Sequence, residues 1–455
     1  MQDSAINPLD GRYFEKTRTL VPYFSEQALM KYRVMVECEY LIALSSLGKT
    51  ALRKFAPAEI KTVRRIYEDF NETSYKKIKS LEKTTNHDVK AVEYFIKAEL
   101  KKTSLRDSIE WAHFALTSED TNNTAYGLLL SDALENVLIP KISEIVSEFN
   151  NLAKKYKNTP MLARTHGQPA SPTTFGKEMK VFAHRLNREI KHLLGQKILV
   201  KLNGASGNYN AHLAAYSKVD WVKFSEKFVS GLTKNRIISL EFNPITTQIE
   251  SHDSYVEIFD RFKRMNNMLI DFDQDIWRYI SDGWLGQKTK AGEVGSSTMP
   301  HKINPINFEN SEGNLGLANA LFEFFARKLP ISRLQRDLSD STVERSFGTA
   351  FGYSYFAYTS LLKGLSKINV NETKMLEDLQ AHPEVITEAI QTILRREGEE
   401  MPYEKLKELS RGKNVSIADI HKFINSLKVS EVVKKELLKI TPENYTGLAS
   451  KLASR

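Results

Sequence analysis

The sequence predicts an all-α protein built around a bundle of long helices. Apolar residues recur at steps of three and four over residues 179–194 and 256–280, which is the spacing of one helical face. Residues 314–329 and 348–367 are apolar on most of their surface, as helices buried on several sides are. The sequence contains no convincing run of alternating strands, although short β ribbons are compatible with residues 197–210.

The long central helices and the ends of the chain differ in character. Helices that are apolar on several sides must pack within a large bundle or an oligomer core. Beyond about residue 370 the chain changes to short amphipathic segments, as expected of a small helical end domain. The sequence therefore predicts three helical parts, namely an N-terminal domain (1–112), a central long-helix bundle (113–364) and a small C-terminal domain (365–455).

The composition limits the class of protein. The chain has 455 residues, of which 41% are hydrophobic and 27% are charged, the balance of an ordinary globular protein. Its one cysteine, Cys38, excludes an intramolecular disulfide and a cage of thiolate metal ligands. The first residues lack the apolar region of a signal peptide, and no apolar run of about 18 residues marks a transmembrane helix. We therefore expect a cytoplasmic protein.

The charge balance is basic, with 65 Lys and Arg against 56 Asp and Glu, a net charge of +9. A nucleic-acid face requires basic residues clustered with aromatic residues on one stripe, whereas here they are spread along the chain. A solvated basic surface is favoured, and the charge is also compatible with steering of a small anionic substrate.

The segment GSSTMPHKINP, residues 295–305, has the composition of an anion-binding loop. Ser296 and Ser297 follow a glycine, so consecutive backbone N–H groups can point at one anion. Lys302 adds a positive charge, and the residues after Pro305 have the pattern of a helix start, whose dipole also favours an anion. This combination suits an enolate-like intermediate. The alternative is a plain glycine-serine loop with a solvated lysine.

His166 is the second candidate for catalysis. It precedes Gly167 and Pro169 in a segment that predicts a turn, and a histidine there can protonate a leaving nitrogen or oxygen near neutral pH. A satisfied structural histidine is the alternative. Hydroxyl groups surround it in the sequence, at Thr165, Ser171, Thr173 and Thr174.

Other chemistry has little support in the sequence. The zinc motif HExxH, the phosphate loop GxxxxGK[ST], the GxSxG elbow and the dinucleotide motif GxGxxG are all absent. His87 and Asp88 form a potential metal pair, but two ligands without a third make a weak site. We expect no metal and no cofactor.

Several motifs resemble those of a known family. Residues 295–305 resemble the GSSxMPxKxNP signature of the fumarase/aspartase superfamily, whose members cleave C–N or C–O bonds and release fumarate. Within it, the segments TSEDTNN (117–123) and ARTHGQPASPTTFGKE (163–178) are similar to those of the adenylosuccinate lyase family, in its longer bacterial form. PLDGRY (8–13) and NPITTQIESHD (243–253) agree with this resemblance, which runs nearly end to end.

The resemblance implies a fold, an assembly and a reaction. The fold is three-domain and all-α, and four subunits share a core of long helices in a homotetramer. Each active site is assembled from three subunits. The reaction is cleavage of adenylosuccinate to AMP and fumarate, and of SAICAR to AICAR and fumarate, in purine nucleotide biosynthesis.

The resemblance also assigns catalytic roles to residues that match the motifs. His166 is similar to the general acid that protonates the departing nitrogen, and Ser296 to the base that removes the proton from the succinyl carbon. Lys302 and Asn304 are expected to stabilise the carbanion's carboxylate, and Glu309 to orient and polarise His166.

Two further sets of residues are implied to bind the substrate. The succinyl carboxylates are assigned to Thr117, Ser118 and Gln248, with Asn86, His87 and Asp88 nearby. Whether His87 takes part in catalysis is left open. The phosphate and ribose are assigned to Arg12, Tyr13, Arg336, Ser341 and Arg345. Guanidinium groups suit phosphate because they form paired, charge-assisted hydrogen bonds, while a surface or ion-pair role is the alternative for each arginine.

Three rival functions are compatible with parts of the sequence. A sister lyase, such as argininosuccinate lyase or fumarase, is disfavoured by His301 and by the phosphate-directed arginines. A catalytically silent structural protein on the same fold is disfavoured by the joint presence of His166, Ser296, Lys302 and Glu309. A basic nucleic-acid binder would lose affinity steeply with added salt.

Overall fold

The computed structural model describes residues 4–289, 292, 298–299, 301–412 and 415–455. The described part of the chain is mostly helical, and this confirms the predicted all-α class. The α-helices are α1 (Phe14–Thr17), α2 (Val21–Phe24), α3 (Glu26–Ser45), α4 (Pro57–Glu68), α5 (Glu72–Thr85), α6 (Asp88–Leu100), α7 (Ser118–Ala133), α8 (Ile139–Lys155), α9 (Phe175–Leu194), α10 (Asn210–Ala215), α11 (Trp221–Leu232), α12 (Asp253–Ser281), α13 (Ile306–Lys328), α14 (Ser339–Glu344), α15 (Phe347–Lys367), α16 (Glu372–Gln380), α17 (Thr387–Arg396), α18 (Pro402–Ser410), α19 (Ile417–Ser426), α20 (Glu431–Leu438) and α21 (Ala449–Ala453).

Short elements connect these helices. Single 3-10 turns lie at Arg18–Leu20, Ile109–Trp111 and Pro383–Ile386, and a π-helical turn at Leu134–Leu138 joins α7 to α8. The strands are β1 (Pro160–Thr165), β2 (Gln168–Thr174), β3 (Ile198–Val200), β4 (Leu240–Phe242), β5 (Leu285–Gln287) and β6 (Ile368–Val370). They form three two-stranded ribbons, β1 with β2 and β5 with β6 antiparallel, and β3 with β4 parallel.

The chain divides into two compact units, each made of three separate segments. Unit 1 consists of residues up to Ile142, Arg188–Asn267 and Gly313–Thr359. Unit 2 consists of Ser143–Asn187, Met268–Glu312 and Ser360–Arg455. The predicted division at residues 112 and 364 into three domains stays a prediction.

Unit 1 is organised around two helices that are buried on nearly all sides. Helix α3 buries 14 of its 20 residues and α7 buries 14 of its 16, so most of the surface of each helix is enclosed. A cluster of aromatic side chains fills another part of the core of unit 1. In it, the rings of Phe262 and Phe322 each lie 5.0 Å from the ring of Phe351. Such aromatic contacts add to the free energy gained by burying the rings.

Unit 2 has its own aromatic core and carries the ribbon of β1 and β2. The rings of Phe149 and Phe272 lie 4.4 Å apart, and Phe182 packs edge-on against Phe272 at 5.2 Å. The predicted helices at 179–194, 256–280, 314–329 and 348–367 are confirmed as parts of α9, α12, α13 and α15. Strand β3 lies within the segment where a short ribbon was expected, whereas the ribbon of β1 and β2 was not predicted. Among the described residues no helix is long and apolar enough to cross a membrane.

Gly127 allows α7 to approach the ribbon of β3 and β4 closely. A Cβ atom at this position would lie 2.8 Å from Val200 Cγ1 and 2.9 Å from Leu240 Cδ2. We predict that Gly127→Ala lowers the free energy of unfolding by about 1–3 kcal/mol, because overpacking outweighs the gain in helix propensity. Gly231→Ala on α11 is the matched control, since a Cβ there meets nothing within 4 Å. Denaturant titration of both variants checks this, and an unchanged midpoint for Gly127→Ala would contradict the close approach.

Candidate active site

The predicted site residues separate cleanly between the two units. All the residues expected to bind substrate lie in unit 1, and the described residues expected to catalyse lie in unit 2.

The start of α7 is held by a buried carboxylate. Asp120, which has no solvent-exposed surface, accepts hydrogen bonds from the backbone N–H of Thr117 at 2.8 Å and of Asn203 at 3.0 Å. The N–H of Gly204 adds a third bond at 3.2 Å, and the Lys201 ammonium lies 2.7 Å away. Because the helix N-terminus favours negative charge, the fixed start of α7 is compatible with a carboxylate at Thr117 and Ser118, which stays a prediction.

The loop before α7 is held in an unusual backbone conformation. His113 and Ala115 both have φ of 59°, a region that residues other than glycine rarely occupy and that often marks functional sites. The His113 ring Nδ1 lies 2.6 Å from Glu37 Oε1, which also accepts the Thr121 hydroxyl at 2.6 Å. Burial lowers the pKa of His113, but the Glu37 carboxylate outweighs burial and leaves the pKa above its usual value.

Asn86 and His87 form the junction between α5 and α6. Asn86 ends α5 with φ of 50°, and His87 caps α6, its Nδ1 accepting the backbone N–H of Lys90 at 3.2 Å. Because Nδ1 accepts a hydrogen bond, the ring proton of the neutral His87 must lie on Nε2, which remains available to a ligand. Among the described residues, no group of three or more His, Cys, Asp or Glu side chains could hold a metal ion.

Asp88 connects two arginines. Its Oδ2 lies 2.9 Å from Arg33 Nη2 and 3.0 Å from Arg345 Nη2. Burial raises the pKa of the Asp88 carboxyl, but the positive charges of Arg33 and Arg345 outweigh it, and the pKa is lowered overall. The Arg33 side chain is only 2% exposed, whereas that of Arg345 is 46% exposed and can reach a ligand.

Arg336 is surrounded by acceptors. Its Nη2 lies 2.9 Å from Glu119 Oε1 and donates to Ser341 Oγ at 2.9 Å, while its Nε is 3.3 Å from Asp340 Oδ2. Arg336 and Ser341, which the resemblance assigned to the phosphate and ribose, are thus in direct contact. Gln248 is half-buried in a segment tied to the same loop, because Thr247 Oγ1 donates to the backbone carbonyl of Gln335 at 2.9 Å.

Arg336 carries one positive charge and lies beside two carboxylates, those of Glu119 and Asp340, so it cannot neutralise both. Burial, and then the negative charge of Glu344, raise the pKa of Glu119 to about 7. Glu344 Oε1 lies 3.4 Å from the Nε2 of the buried His252 ring. A negatively charged Glu119 is therefore costly in the folded protein at alkaline pH.

Arg345 lies between two cavities of unit 1. One, about 300 Å³, is also lined by Glu26, Tyr126 and Glu344, and the other, about 220 Å³, by Asn7 and Asp10 of the first segment. In that segment Arg12 is exposed, and the Tyr13 ring is stacked on Phe356 with centroids 3.9 Å apart. A larger cavity of about 730 Å³ lies among α3, α4 and α11 and contains none of the predicted residues.

In unit 2, His166 occupies the tip of the β1–β2 hairpin. Thr165 pairs with Gln168, so His166 and Gly167 form a two-residue turn, with φ of 54° and 75°. Positive φ at both positions is the requirement of a type I′ hairpin turn. The predicted turn at His166 is confirmed, and the side chain is exposed.

The hydroxyl groups near His166 in the sequence anchor the hairpin. Ser171 Oγ and Tyr445 Oη both donate to Glu388 Oε2, the latter at 2.9 Å. Thr173 Oγ1 donates to Glu178 Oε1 at 2.9 Å. These hydrogen bonds tie the ribbon to α17 and α9.

The remaining residues that were expected to catalyse precede or begin α13. Lys302 is exposed, Asn304 is half-buried, and Glu309 lies exposed in the first turn of the helix. Glu309 Oε1 accepts the Trp277 indole N–H at 3.2 Å, and among the described residues of one chain it makes no hydrogen bond to His166. The predicted helix start after Pro305 is confirmed. Ser296 lies outside the described residues.

The chain matches known families over most of its length. Residues 11–319 match the family described as Lyase, and residues 332–446 match the family described as Adenylosuccinate lyase C-terminal. It is 49% identical to adenylosuccinate lyase of Vibrio cholerae and 50% identical to that of Haemophilus influenzae, each over 99% of this chain and 98% of the relative. The chain belongs to the adenylosuccinate lyase family. The chain is also 51% identical to adenylosuccinate lyase of Dictyostelium discoideum, over 98% of this chain and 97% of the relative.

Solved structures agree on the fold of this lyase. The fumarate lyase from Mesorhizobium sp. BNC1 superposes with a TM-score of 0.72 at 18% identity, covering 96% of each chain. The 3-carboxy-cis,cis-muconate lactonizing enzyme from Pseudomonas putida has a TM-score of 0.74 at 19% identity and covers 99% of this chain and 98% of its own. These similarities confirm the predicted fumarase/aspartase-type fold.

Sequence reasoning missed residues of this lyase whose contacts are distant along the chain. Arg33 reaches Asn122, 89 positions away, and the Asp120–Lys201 pair spans 81 positions. The signal that was available is the run TSEDTNN, because seven consecutive polar residues are unusual at the start of a helix buried on nearly all sides.

The raised pKa of Glu119 predicts a pH-dependent effect on stability. Glu119 has an ordinary pKa near 4.5 when unfolded and about 7 when folded, so its contribution to stability falls as pH rises between these values. We predict that Glu119→Gln gains melting temperature relative to the unmodified enzyme as pH is raised from about 5 to 8. Scanning calorimetry at several pH values checks this. Glu110→Gln is the control, because its carboxylate is 78% exposed, and a parallel trend in both variants would contradict the prediction.

Proposed function

We propose that this chain cleaves adenylosuccinate to AMP and fumarate, and SAICAR to AICAR and fumarate. One observation carries the proposal: the chain is 49–51% identical, over 98–99% of its length, to proteins named adenylosuccinate lyase. Both substrates are anions with a succinyl group at one end and a phosphate at the other. Unit 1 offers groups suited to each end.

The succinyl carboxylates bind, in this proposal, at the start of α7. Thr117 and Ser118 are half-buried there, and the helix N-terminus supplies free N–H groups and a positive dipole end. Gln248 adds an amide donor. His87 supports the same end of the substrate through its Nε2–H, since its Nδ1 is already used in the cap of α6.

The phosphate binds, in this proposal, to the arginines around α14. Arg336 and Ser341 are already in contact, and Arg345 is half-exposed beside two cavities. Arg12 and Tyr13 belong to the segment that lines one of these cavities and would complete the site at the ribose. Planar guanidinium groups favour phosphate because each offers two parallel donors.

The elimination proceeds by transfer of one proton from carbon and one to nitrogen. Ser296 removes the proton from the carbon beside the carboxylate, and Lys302 with Asn304 stabilises the resulting negative charge. The electron pair forms the double bond of fumarate as the C–N bond breaks, and His166 donates its proton to the departing nitrogen. Electrons balance without an oxidant or reductant, so we propose that no cofactor is needed.

We further propose a homotetramer with active sites shared between three subunits. His166 is exposed at a hairpin tip, a position from which it can reach a neighbouring subunit. One face of α13 is exposed and carries small or apolar residues at helical spacing, which fits packing against another helix. These residues are Gly313, Gly316, Leu317, Ala320 and Phe324. The cytoplasm is the compartment we propose, from the composition and the single cysteine.

The test of this function is a direct assay of the purified protein. With adenylosuccinate we expect fumarate and AMP in equal amounts, and with SAICAR fumarate and AICAR. Argininosuccinate and malate, run in parallel, should give no product because they lack the phosphate. Product from either of these in place of adenylosuccinate would replace the proposal with a sister lyase, and no turnover by a folded tetramer would indicate a silent protein.

A further inference from the structure

Beyond the predicted site residues, a buried hydrogen-bond network extends inward from Arg336. Arg336 Nη2 lies 2.9 Å from Glu119 Oε1, and the same oxygen accepts the Asn122 side-chain amide at 2.8 Å. Asn122 Oδ1 in turn accepts Arg33 Nε–H at 2.8 Å. Glu119 and Asn122 are one turn apart on α7, so the helix itself fixes their spacing.

From Arg33 the network continues outward to the second arginine. Arg33 Nη2 lies 2.9 Å from Asp88 Oδ2, which lies 3.0 Å from Arg345 Nη2. Arg33 belongs to α3, and Asp88 begins α6. Among the described residues, Arg33 is therefore the side chain that connects the acceptor of Arg336 on α7 with the acceptor of Arg345 on α6.

The network is buried in its middle and more exposed at its two ends, as expected of residues that support a binding site. The Arg33 side chain is 2% exposed and that of Glu119 is 1% exposed, whereas the two ends, Arg336 and Arg345, are 13% and 46% exposed. A buried guanidinium is costly unless its donors are paired, and the two sides of the Arg33 fork meet an amide oxygen and a carboxylate. The interior of the network is thus enclosed and hydrogen-bonded, and it contacts the two more exposed ends.

We propose that Arg33 is a positioning residue that holds Arg336 and Arg345 in fixed relation, so that the two bind one phosphate together. This inference rests on the proposed function, which assigns the phosphate to Arg336 and Arg345. Pre-ordered arginines lose less conformational freedom when the phosphate arrives, and this strengthens binding without any contact between Arg33 and the ligand. Arg33 has no role in the proton transfers.

The test compares the affinity of AMP with that of adenosine, measured by calorimetry on the intact protein. The two ligands share the base and ribose, so the ratio of their dissociation constants isolates the contribution of the phosphate. Arg33→Lys keeps the charge but cannot reach Asp88 and Asn122 together. We expect it to weaken AMP binding by on the order of tenfold and to leave adenosine unchanged. In steady state, KM for adenylosuccinate should rise while kcat changes little.

Two neighbouring asparagines provide a matched second test. Asn122→Ala breaks the network beside Arg33 and should lower the preference for AMP over adenosine in the same way. Asn123→Ala removes the same side chain from the next position of α7, but Asn123 Oδ1 accepts the backbone N–H of Lys201, outside the network. We expect Asn123→Ala to keep the wild-type preference, even if both variants lower the melting temperature.

The possible outcomes separate this inference from the function on which it rests. An unchanged preference for AMP in both Arg33→Lys and Asn122→Ala, in an enzyme that still cleaves adenylosuccinate, would overturn the role of Arg33 alone. An equal loss in Asn123→Ala would also overturn it, since burial rather than the network would then explain the effect. A wild-type protein without preference for AMP would overturn the phosphate assignment as well.

Discussion

The buried carboxylate of Asp120 is the constraint on which the proposed substrate-binding residues of unit 1 depend. It is fully enclosed and meets three backbone N–H groups and the ammonium of Lys201, itself fully buried. Paired in this way, both charges are tolerated, whereas removing either partner would leave the other uncompensated in the interior. The arrangement therefore fixes the start of α7 against the chain at Asn203 and Gly204.

The rest of the candidate site follows from that fixed start. Thr117 and Ser118 are placed at the free N–H groups of α7, and Glu119 and Asn122 point from the next positions toward Arg336 and Arg33. One helix thus supports the proposed carboxylate end and the proposed phosphate end of the substrate. A core helix filled with apolar residues would be more stable locally, and its polar surface is best explained by function.

The sequence was sufficient to predict the long helices, the turn at His166 and the helix start after Pro305. Each of these depends on local residue spacing or on a turn residue. It was not sufficient for the β1–β2 ribbon, in which Pro169 and Pro172 weaken the strand pattern and His166 replaces the usual asparagine of a two-residue turn. The motifs indicated which residues belong to the site, but not that Arg336 would meet Glu119 or that Arg345 would meet Asp88. Those contacts join positions more than 200 residues apart, and only the folded chain reveals them.

We propose that His166 of one subunit acts as the acid on a substrate held by the arginines of another subunit. The most direct measurement is complementation between two inactive variants, His166→Gln and the double variant Arg336→Met with Arg345→Met, dissociated together and reassembled. If different subunits supply His166 and the arginines, random mixing leaves about a quarter of the sites with both intact. A corresponding share of the activity should then return. If one chain supplies both His166 and the arginines, no mixed site is intact. A mixture no more active than its separate components would contradict active sites shared between subunits.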